Sequence, residues 1–318
     1  MKVLITGSSG SIGSAVASSL AERKIQVIAV DIRDLPDASK SGYYKFHNCS
    51  ITEKEKLEKI FEEERPTHVI HLASTFHKIR DRELEYKIDV GGSAYILDIC
   101  NRTSSVKQLI FSSSATIYGA HRDNPEWISE TDPVRPGKYV YGLNKKHIED
   151  LILNSPVRED LHRVSCRICT VIGPTYNKPA TIVSMLLKVG WLPSFTKNTR
   201  VQFIHTDDLT ELIHMILRDD EISGIYNMAP DSYSRIRDLM PGKKYIWIPL
   251  GLVRLVISIL WPLRLLNLEP AGVNASIYPI VLDPKKIISK YNYRFRYSSD
   301  QAFGDVKKRN MIPADARF

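Results

Sequence analysis

The sequence predicts an α/β fold: a doubly wound parallel sheet covered by helices on both faces, with a smaller C-terminal lobe. From Lys2 to Phe111, short apolar runs alternate with helical stretches, and such alternation produces parallel strands joined by crossover helices. The first apolar run opens directly onto Gly7-Ser8-Ser9-Gly10-Ser11-Ile12-Gly13, a strand, a glycine loop and a helix start in succession. A length of 318 residues accommodates one large core, or a large domain carrying a smaller one.

Composition narrows the function classes. With 43% apolar and 25% charged residues the chain is an ordinary globular sequence. Its net charge of +8 comes from Lys and Arg spread along the chain without a long basic run. That pattern excludes a nucleic-acid partner and fits an anionic small substrate or a basic surface. The four cysteines are too few and too scattered for a disulfide framework. Cys166 and Cys169 form a C-x-x-C, but residues three apart on a strand point to opposite faces, so they read as packing residues and no metal is expected. Met1 to Ile5 run directly into structure and leave no room for a signal peptide, from which a cytoplasmic location is expected.

Lys2 to Thr6 reads as a buried parallel strand. In the loop after it, Gly7, Ser9, Gly10, Ser11, Ile12 and Gly13 are candidates to hold a dinucleotide. Glycines allow a tight turn and close backbone approach, and the following helix N-terminus offers N–H groups to a pyrophosphate. That helix continues to about Glu22. The strand Gln26 to Val30 ends in Asp31, eighteen residues past Gly13. A carboxylate there accepts hydrogen bonds from both ribose hydroxyls and repels a 2′-phosphate, so NAD is favoured over NADP, with Arg33 keeping NADP as the alternative. A strand from Tyr43 to His47, a helix from Thr52 to Glu63, a strand from His68 to Leu72, a helix from Glu83 to Asn101 and a strand from Lys107 to Phe111 follow.

The last strand leads into Ser112-Ser113-Ser114-Ala115-Thr116-Ile117-Tyr118-Gly119. Three serines read alone are a loop, yet a hydroxyl at a strand's C-terminal edge can hold the oxygen of a substrate alcohol or ketone. Asp123 to Pro136 reads as a surface loop. It returns the chain to Tyr141-Gly142-Leu143-Asn144-Lys145, where Tyr141 and Lys145 share one helix face. An ammonium beside a phenol favours the phenolate and makes the Tyr a usable acid/base. Such a pair is common by chance; its specificity comes from the glycine loop and the serine run that precede it in order.

Together these residues resemble the extended short-chain dehydrogenase/reductase family, and within it the NAD-dependent epimerase/dehydratase group that acts on nucleotide sugars. The matching motifs are Thr6 to Gly13, His71-Leu72-Ala73, Phe111 to Gly119, Tyr141 to Lys145, Arg167 with Val171-Ile172-Gly173-Pro174, Phe203 to Leu209, and Tyr226-Asn227. The resemblance implies a Rossmann-type domain over 1–173, to which 201–228 returns, and a substrate-binding lobe built mainly from 174–200 and 229–318. It implies Tyr141 as base, Lys145 binding the ribose and tuning Tyr141, and Ser114 or Thr116 near the reacting oxygen. Ile32, Ser50, Ile51, Leu72, Ala73, Ser74 and Ser112 join the cofactor contacts, and Thr75, Ser114, Thr170 and Arg200 the substrate contacts. A homodimer is expected from the family.

Details divide the family. Its 4,6-dehydratases carry an Asp-Glu pair after the hydroxyl residue, and here that place is Ala115-Thr116, which argues against 4,6-dehydration; Ser114-Ala115-Thr116 resembles the 4-epimerases and decarboxylase-like members, with a 4-epimerase type as the first reading. In that reading Tyr141 deprotonates the C4 hydroxyl of a nucleotide sugar during transient oxidation by tightly bound NAD. Thr170 replaces the usual Asn after the sixth-strand Arg, Arg200 lies one place early with Val201 at the usual Arg position, Ser50 takes the place of an Asp, and Asp89 that of an Asn. These departures support the alternative of a net NAD(P)-dependent dehydrogenase or reductase on a non-nucleotide alcohol or ketone, steroid-like or a small hydroxy compound.

In the second half, Thr181 to Gly190 has helical spacing and Trp191 to Thr199 is loop-like. Phe203 to Thr206 returns as a strand, with Asp207 or Asp208 placed to cap a helix from Leu209 to Leu217, and Gly224 to Met228 is another strand. The most apolar stretch, Ile248 to Leu268, contains Arg254 and Arg264. Its longest uncharged run is too short to span a membrane, so it reads as a packed helix, with peripheral membrane contact as the alternative. Asp283 to Lys290 reads as a helix, Tyr297 to Asp300 begins another, and the tail from Lys307 is expected to fray.

Overall fold

The structure is a computed structural model, and it describes residues 1–33, 41–75, 81–174, 190–261, 263 and 270–310. The chain forms two compact units. The first comprises Met1–Ser114, Asn144–Ile168 and Thr206–Tyr226; the second comprises Ala115–Leu143, Cys169–His205 and Asn227–Phe318.

The first unit is built on β1 (Lys2–Thr6), β2 (Gln26–Asp31), β3 (Tyr44–Asn48), β4 (His68–His71), β5 (Gln108–Ser114) and β6 (His162–Ile168). With β11 (Gly224–Met228) they form a seven-stranded sheet in the order β11-β6-β5-β4-β1-β2-β3. The pairings among β1 to β6 are all parallel. Starting from β1, the chain adds strands first toward β3 and then, after crossing back, toward β6, the 3-2-1-4-5-6 order of a doubly wound sheet. Apolar runs without alternation form its central strands because helices cover both faces. On one face Leu4, Ile28, Val69 and Leu109 pack with Ile96, Ile99, Ile148 and Ile152 from two helices.

These helices include α1 (Ser11–Glu22), α2 (Lys54–Glu64) and a composite one. The single helix expected from Glu83 to Asn101 is α3 (Arg82–Tyr86), a π turn over Lys87–Gly91, and α4 (Gly92–Arg102). Asp81 starts it by accepting from the N–H groups of Glu83 and Leu84 at 3.0 and 3.1 Å. The π turn follows no apolar period, which is why the sequence pattern runs through it. Lys145 lies on α5 (Val140–Asn154).

Other expectations need correction. Ser112 to Ser114 belong to β5 itself and are buried, because β5 pairs with β6 as far as Ser114↔Ile168. Trp191 to Thr199 holds β8 (Trp191–Pro193) and a 3-10 turn over Ser194–Thr196. β7 (Thr170–Ile172) and β10 (Phe203–His205) pair in parallel, and β9 (Arg200–Val201) precedes β10. Helix α6 runs Thr206–Leu217, so Asp207 and Asp208 stand inside its first turn, where carboxylates favour the positive helix end.

The second unit also contains β12 (Ser234–Arg235), α7 (Ile236–Leu239), β13 (Lys244–Ile246), α8 (Leu250–Leu260), α9 (Lys285–Tyr291) and α10 (Ser299–Asn310). Its core gathers Ile172, Leu192, Phe203, Ile236, Leu239 and Phe303. Asp283 precedes α9 and accepts from the Lys285 N–H at 3.0 Å. Lys307 to Asn310 belong to α10. The expected helix over 181–190 lies, but for Gly190, outside the described residues, as do 264–269 and 311–318.

Candidate active site

In the first unit the glycine loop is packed against its own backbone. A Cβ on Gly13 would stand 2.1 Å from the Gly7 carbonyl oxygen, and one on Gly7, whose φ is +71°, would stand 2.6 Å from the Ala73 nitrogen. Only glycine fits at these positions. Helix α1 starts at Gly10 without a side-chain cap. A helix N-terminus without a side-chain cap, beside a loop whose glycines leave room for close backbone approach, is what a pyrophosphate requires. Asp31, at the end of β2, accepts from the Ser9 N–H at 2.9 Å and the Arg33 N–H at 3.2 Å, and the Ser9 hydroxyl bonds the Arg33 carbonyl. The carboxylate is thereby fixed beside the loop while Ile32 is exposed. These residues fit a dinucleotide.

The other cofactor candidates lie at the C-terminal ends of neighbouring strands. The Ser50 N–H donates to the Glu53 carboxylate at 2.6 Å, and its hydroxyl lies 2.8 Å from that of Thr52. Ile51 is buried and packs where a Cβ on Gly92 would stand 2.5 Å from its Cδ1. Leu72 and Ala73 continue β4, the Leu72 N–H donating to the Thr6 carbonyl at 3.1 Å.

Asp89 organises the next stretch. Buried in the π turn, its carboxylate accepts from the Thr75 N–H at 2.8 Å, the Thr75 hydroxyl at 3.0 Å and the Ser74 hydroxyl at 3.2 Å. In the sequence Asp89 stands out only as a departure from the family pattern; the signal that marks it is a carboxylate inside an apolar helical stretch. His71 likewise stands in the sequence only as part of the motif His71-Leu72-Ala73. It is buried, 2.6 Å from the Thr6 hydroxyl and 2.8 Å from the Ser93 hydroxyl. Burial, aided by the Lys145 cation, pushes its pKa down to about 3.

Lys145 is 3% exposed, and its ammonium donates to the Ser112 carbonyl at 2.7 Å and lies 3.4 Å from the Ser112 hydroxyl. Burial pushes its pKa down to about 8, against the opposing Asp89 carboxylate. One turn further along α5, Glu149 is buried against Arg167 at 2.6 Å and accepts from the Ser165 hydroxyl at 2.6 Å. Tyr141, Lys145 and Glu149 are spaced four apart, so this ion pair holds the helix face that carries the first two. Ser114 ends β5 and is buried.

Thr116, Tyr141, Thr170 and Arg200 belong to the second unit. Thr116 lies in the 3-10 turn Ala115–Tyr118, and a Cβ on Gly142 would stand 2.9 Å from its carbonyl oxygen. The glycine after Tyr141 therefore lets this turn approach α5. The Tyr141 ring meets that of Tyr139 edge-on at 6.1 Å. Thr170 begins β7, opposite Phe203. Arg200 lies 3.3 Å from the Glu126 carboxylate and 5.3 Å over the Tyr233 ring, whose hydroxyl bonds Glu126 at 2.7 Å. Asn227 donates to the Ile128 carbonyl at 2.8 Å and accepts at 3.0 Å from the Tyr118 hydroxyl, so these two motif residues tie the second unit together.

The model of the NAD-dependent epimerase/dehydratase family matches residues 3–229. The chain belongs to this family. Among its curated relatives, a dTDP-D-glucose 4,6-dehydratase of Dictyostelium discoideum is 29% identical over 274 residues, covering 77% of this chain and 61% of that protein. A UDP-glucose 4-epimerase of Yersinia enterocolitica is 26% identical over 305 residues, covering 91% and 83%. The chain spans 61%, 55% and 48% of the length of three such relatives. The solved structure of the Bordetella bronchiseptica enzyme WbmG in complex with NAD superimposes with a TM-score of 0.76 at 20% identity, covering 98% of this chain and 94% of that one. UDP-glucose 4-epimerase of Thermotoga maritima with UDP-glucose does so with a TM-score of 0.74 at 20% identity, covering 98% and 100%. At such identity the superpositions establish the Rossmann-type fold, and the family's cofactor is NAD. Epimerases and a dehydratase both stand among the relatives, so membership fixes the family and not the reaction.

Proposed function

We propose that this protein is an NAD-dependent epimerase acting on a nucleotide sugar. The observation that carries the reading is the environment of Lys145, a buried ammonium fixed to Ser112 at the end of β5, one helical turn after Tyr141 and followed in β5's continuation by Ala115-Thr116, which has no carboxylate. Gly7 to Gly13 would hold the pyrophosphate of NAD, Asp31 its adenosine ribose, and Lys145 the ribose beside the nicotinamide. NAD supplies a hydride acceptor that can return the hydride.

In this reading Tyr141 takes the proton of the sugar hydroxyl and gives it back after the intermediate has presented its other face. Lys145 holds Tyr141's charge, and the hydroxyls of Ser114 and Thr116 hold the reacting oxygen. Elimination of water needs a carboxylate pair for which residues 115–116 offer no group. Thr170 and Arg200 are proposed to meet the nucleotide. A net dehydrogenase on a non-nucleotide alcohol or ketone is the second reading, supported by Arg200, whose guanidinium is engaged by Glu126 and Tyr233.

The test is incubation with NAD and a panel of UDP-, dTDP- and GDP-sugars, following reduced cofactor by absorbance and the sugar by NMR. A new stereoisomer without accumulating reduced cofactor supports the epimerase. Steady accumulation supports the dehydrogenase, and loss of water from the sugar would reject both. Tyr141→Phe is expected to lower kcat by about 10²–10⁴-fold, the scale of a lost acid/base.

A further inference from the structure

Helix α8 carries two apolar faces. Leu250, Val253, Ile257 and Leu260 share one side, on which Ile257 is buried. Leu252, Leu255, Val256 and Ile259 share the other, within an arc of about 100°, and they are 50%, 55%, 41% and 52% exposed. Helix α2 shows the usual arrangement: it buries Leu57, Ile60 and Phe61, with Glu64, and turns Lys54, Glu55, Lys56, Lys59, Glu62 and Glu63 outward. The exposed apolar surface continues in the segment leading into α8, where Ile246 is 45% and Trp247 77% exposed. β13 pairs with β8 there, setting Lys244 opposite the exposed Trp191.

Charge identifies what such a surface meets. Residues 239–268 contain Lys243, Lys244, Arg254 and Arg264 and not one Asp or Glu. Arg254 lies on the edge between the two faces and reaches Asn274 at 2.9 Å. A two-fold contact with a second copy would place this net-basic segment against itself, and like charges repel. An anionic lipid surface offers the opposite: acyl chains for the Leu and Ile stripe, a boundary that suits Trp, and headgroup charge for the Lys and Arg. Eleven helical residues rise about 16 Å, far less than the about 30 Å of a bilayer core, so the helix would lie in the interface plane. Among the described residues no helix is long and apolar enough to cross a membrane.

We propose that α8, with Ile246 and Trp247, docks this protein onto anionic membrane surfaces. The proposal is independent of the reaction the enzyme performs. It is tested by cosedimentation of the full chain with vesicles of phosphatidylcholine alone or mixed with phosphatidylglycerol. Binding is expected to the mixed vesicles, to be at least about tenfold weaker on the neutral ones, and to fall at least about tenfold in Leu255→Glu/Ile259→Glu. Tryptophan quenching by brominated lipid, measured on the unsubstituted protein and reduced in Trp247→Phe, reads the same contact without relying on the folding of the double variant. Absence of binding to the mixed vesicles, equal binding by the double variant, or unquenched tryptophan would overturn the proposal. A concentration-dependent dimer that the double variant loses, in a protein that ignores vesicles, would assign the face to a second copy.

Discussion

His71 shows how a buried titratable group makes the sheet's centre sensitive to acid. Its ring lies between the Thr6 and Ser93 hydroxyls, and burial with the nearby Lys145 cation holds its pKa at about 3, against an ordinary 6.5. Above pH 6.5 the ring is neutral in both the folded and the unfolded chain, so its contribution to stability is complete. As pH falls from 6.5 toward 3 the unfolded chain takes up a proton that the folded chain refuses, and stability falls by up to about 1.4 kcal/mol per pH unit. Between about pH 7 and about pH 5 this one residue should cost about 2 kcal/mol. Urea unfolding at the two pH values checks it: the loss should be smaller by about that amount in His71→Gln, and an equal loss in both proteins would contradict the assignment.

At the scale of elements, α5 matters because its catalytic candidates share a face with a buried ion pair. Glu149 and Arg167 meet at 2.6 Å, about 5% and 4% exposed, joining the helix to β6. Removing one partner strands a buried charge, so Arg167→Leu should destabilise by about 3–5 kcal/mol, whereas Arg167→Leu/Glu149→Leu should recover much of that loss. A double-mutant cycle by chemical denaturation measures both. The elements themselves were legible where one period governs the chain: the apolar runs of β1, β2, β4 and β5 and the glycine loop follow directly from residue type. What was not legible depends on partners distant in sequence. Ser112 to Ser114 look like a loop until β6 pairs with them. The π turn leaves no mark on the helical pattern, and Asp89 is intelligible only once Ser74 and Thr75 stand in front of it. Likewise Arg167 reads as a motif letter, and its role emerges only with Glu149 on the facing helix.

At the scale of the whole molecule, the chain passes between its two compact units five times, at 114/115, 143/144, 168/169, 205/206 and 226/227. Neither unit is one continuous piece of sequence, so cofactor binding is best measured on the full chain. The proposed dinucleotide contacts from Gly7 to Gly13, at Asp31, at Leu72 to Ser74, at Ser112 and at Lys145 all fall in the first unit, and only Tyr141 falls in the second. A ligand that binds only the folded state stabilises it by about 2.7 kcal/mol at a hundredfold excess over Kd. For a protein of 318 residues that corresponds to a rise in Tm of about 4 °C. NAD should produce this rise and NADP should not, because the Asp31 carboxylate, fixed by the Ser9 and Arg33 N–H groups, would face a 2′-phosphate with like charge. Asp31→Asn removes that charge and keeps the shape, so it should narrow the difference between the two cofactors while leaving the melting of the ligand-free protein nearly unchanged. Equal shifts by NAD and NADP in the unsubstituted protein would mean that Arg33, one residue past the exposed Ile32, turns its guanidinium toward the phosphate and outweighs the carboxylate.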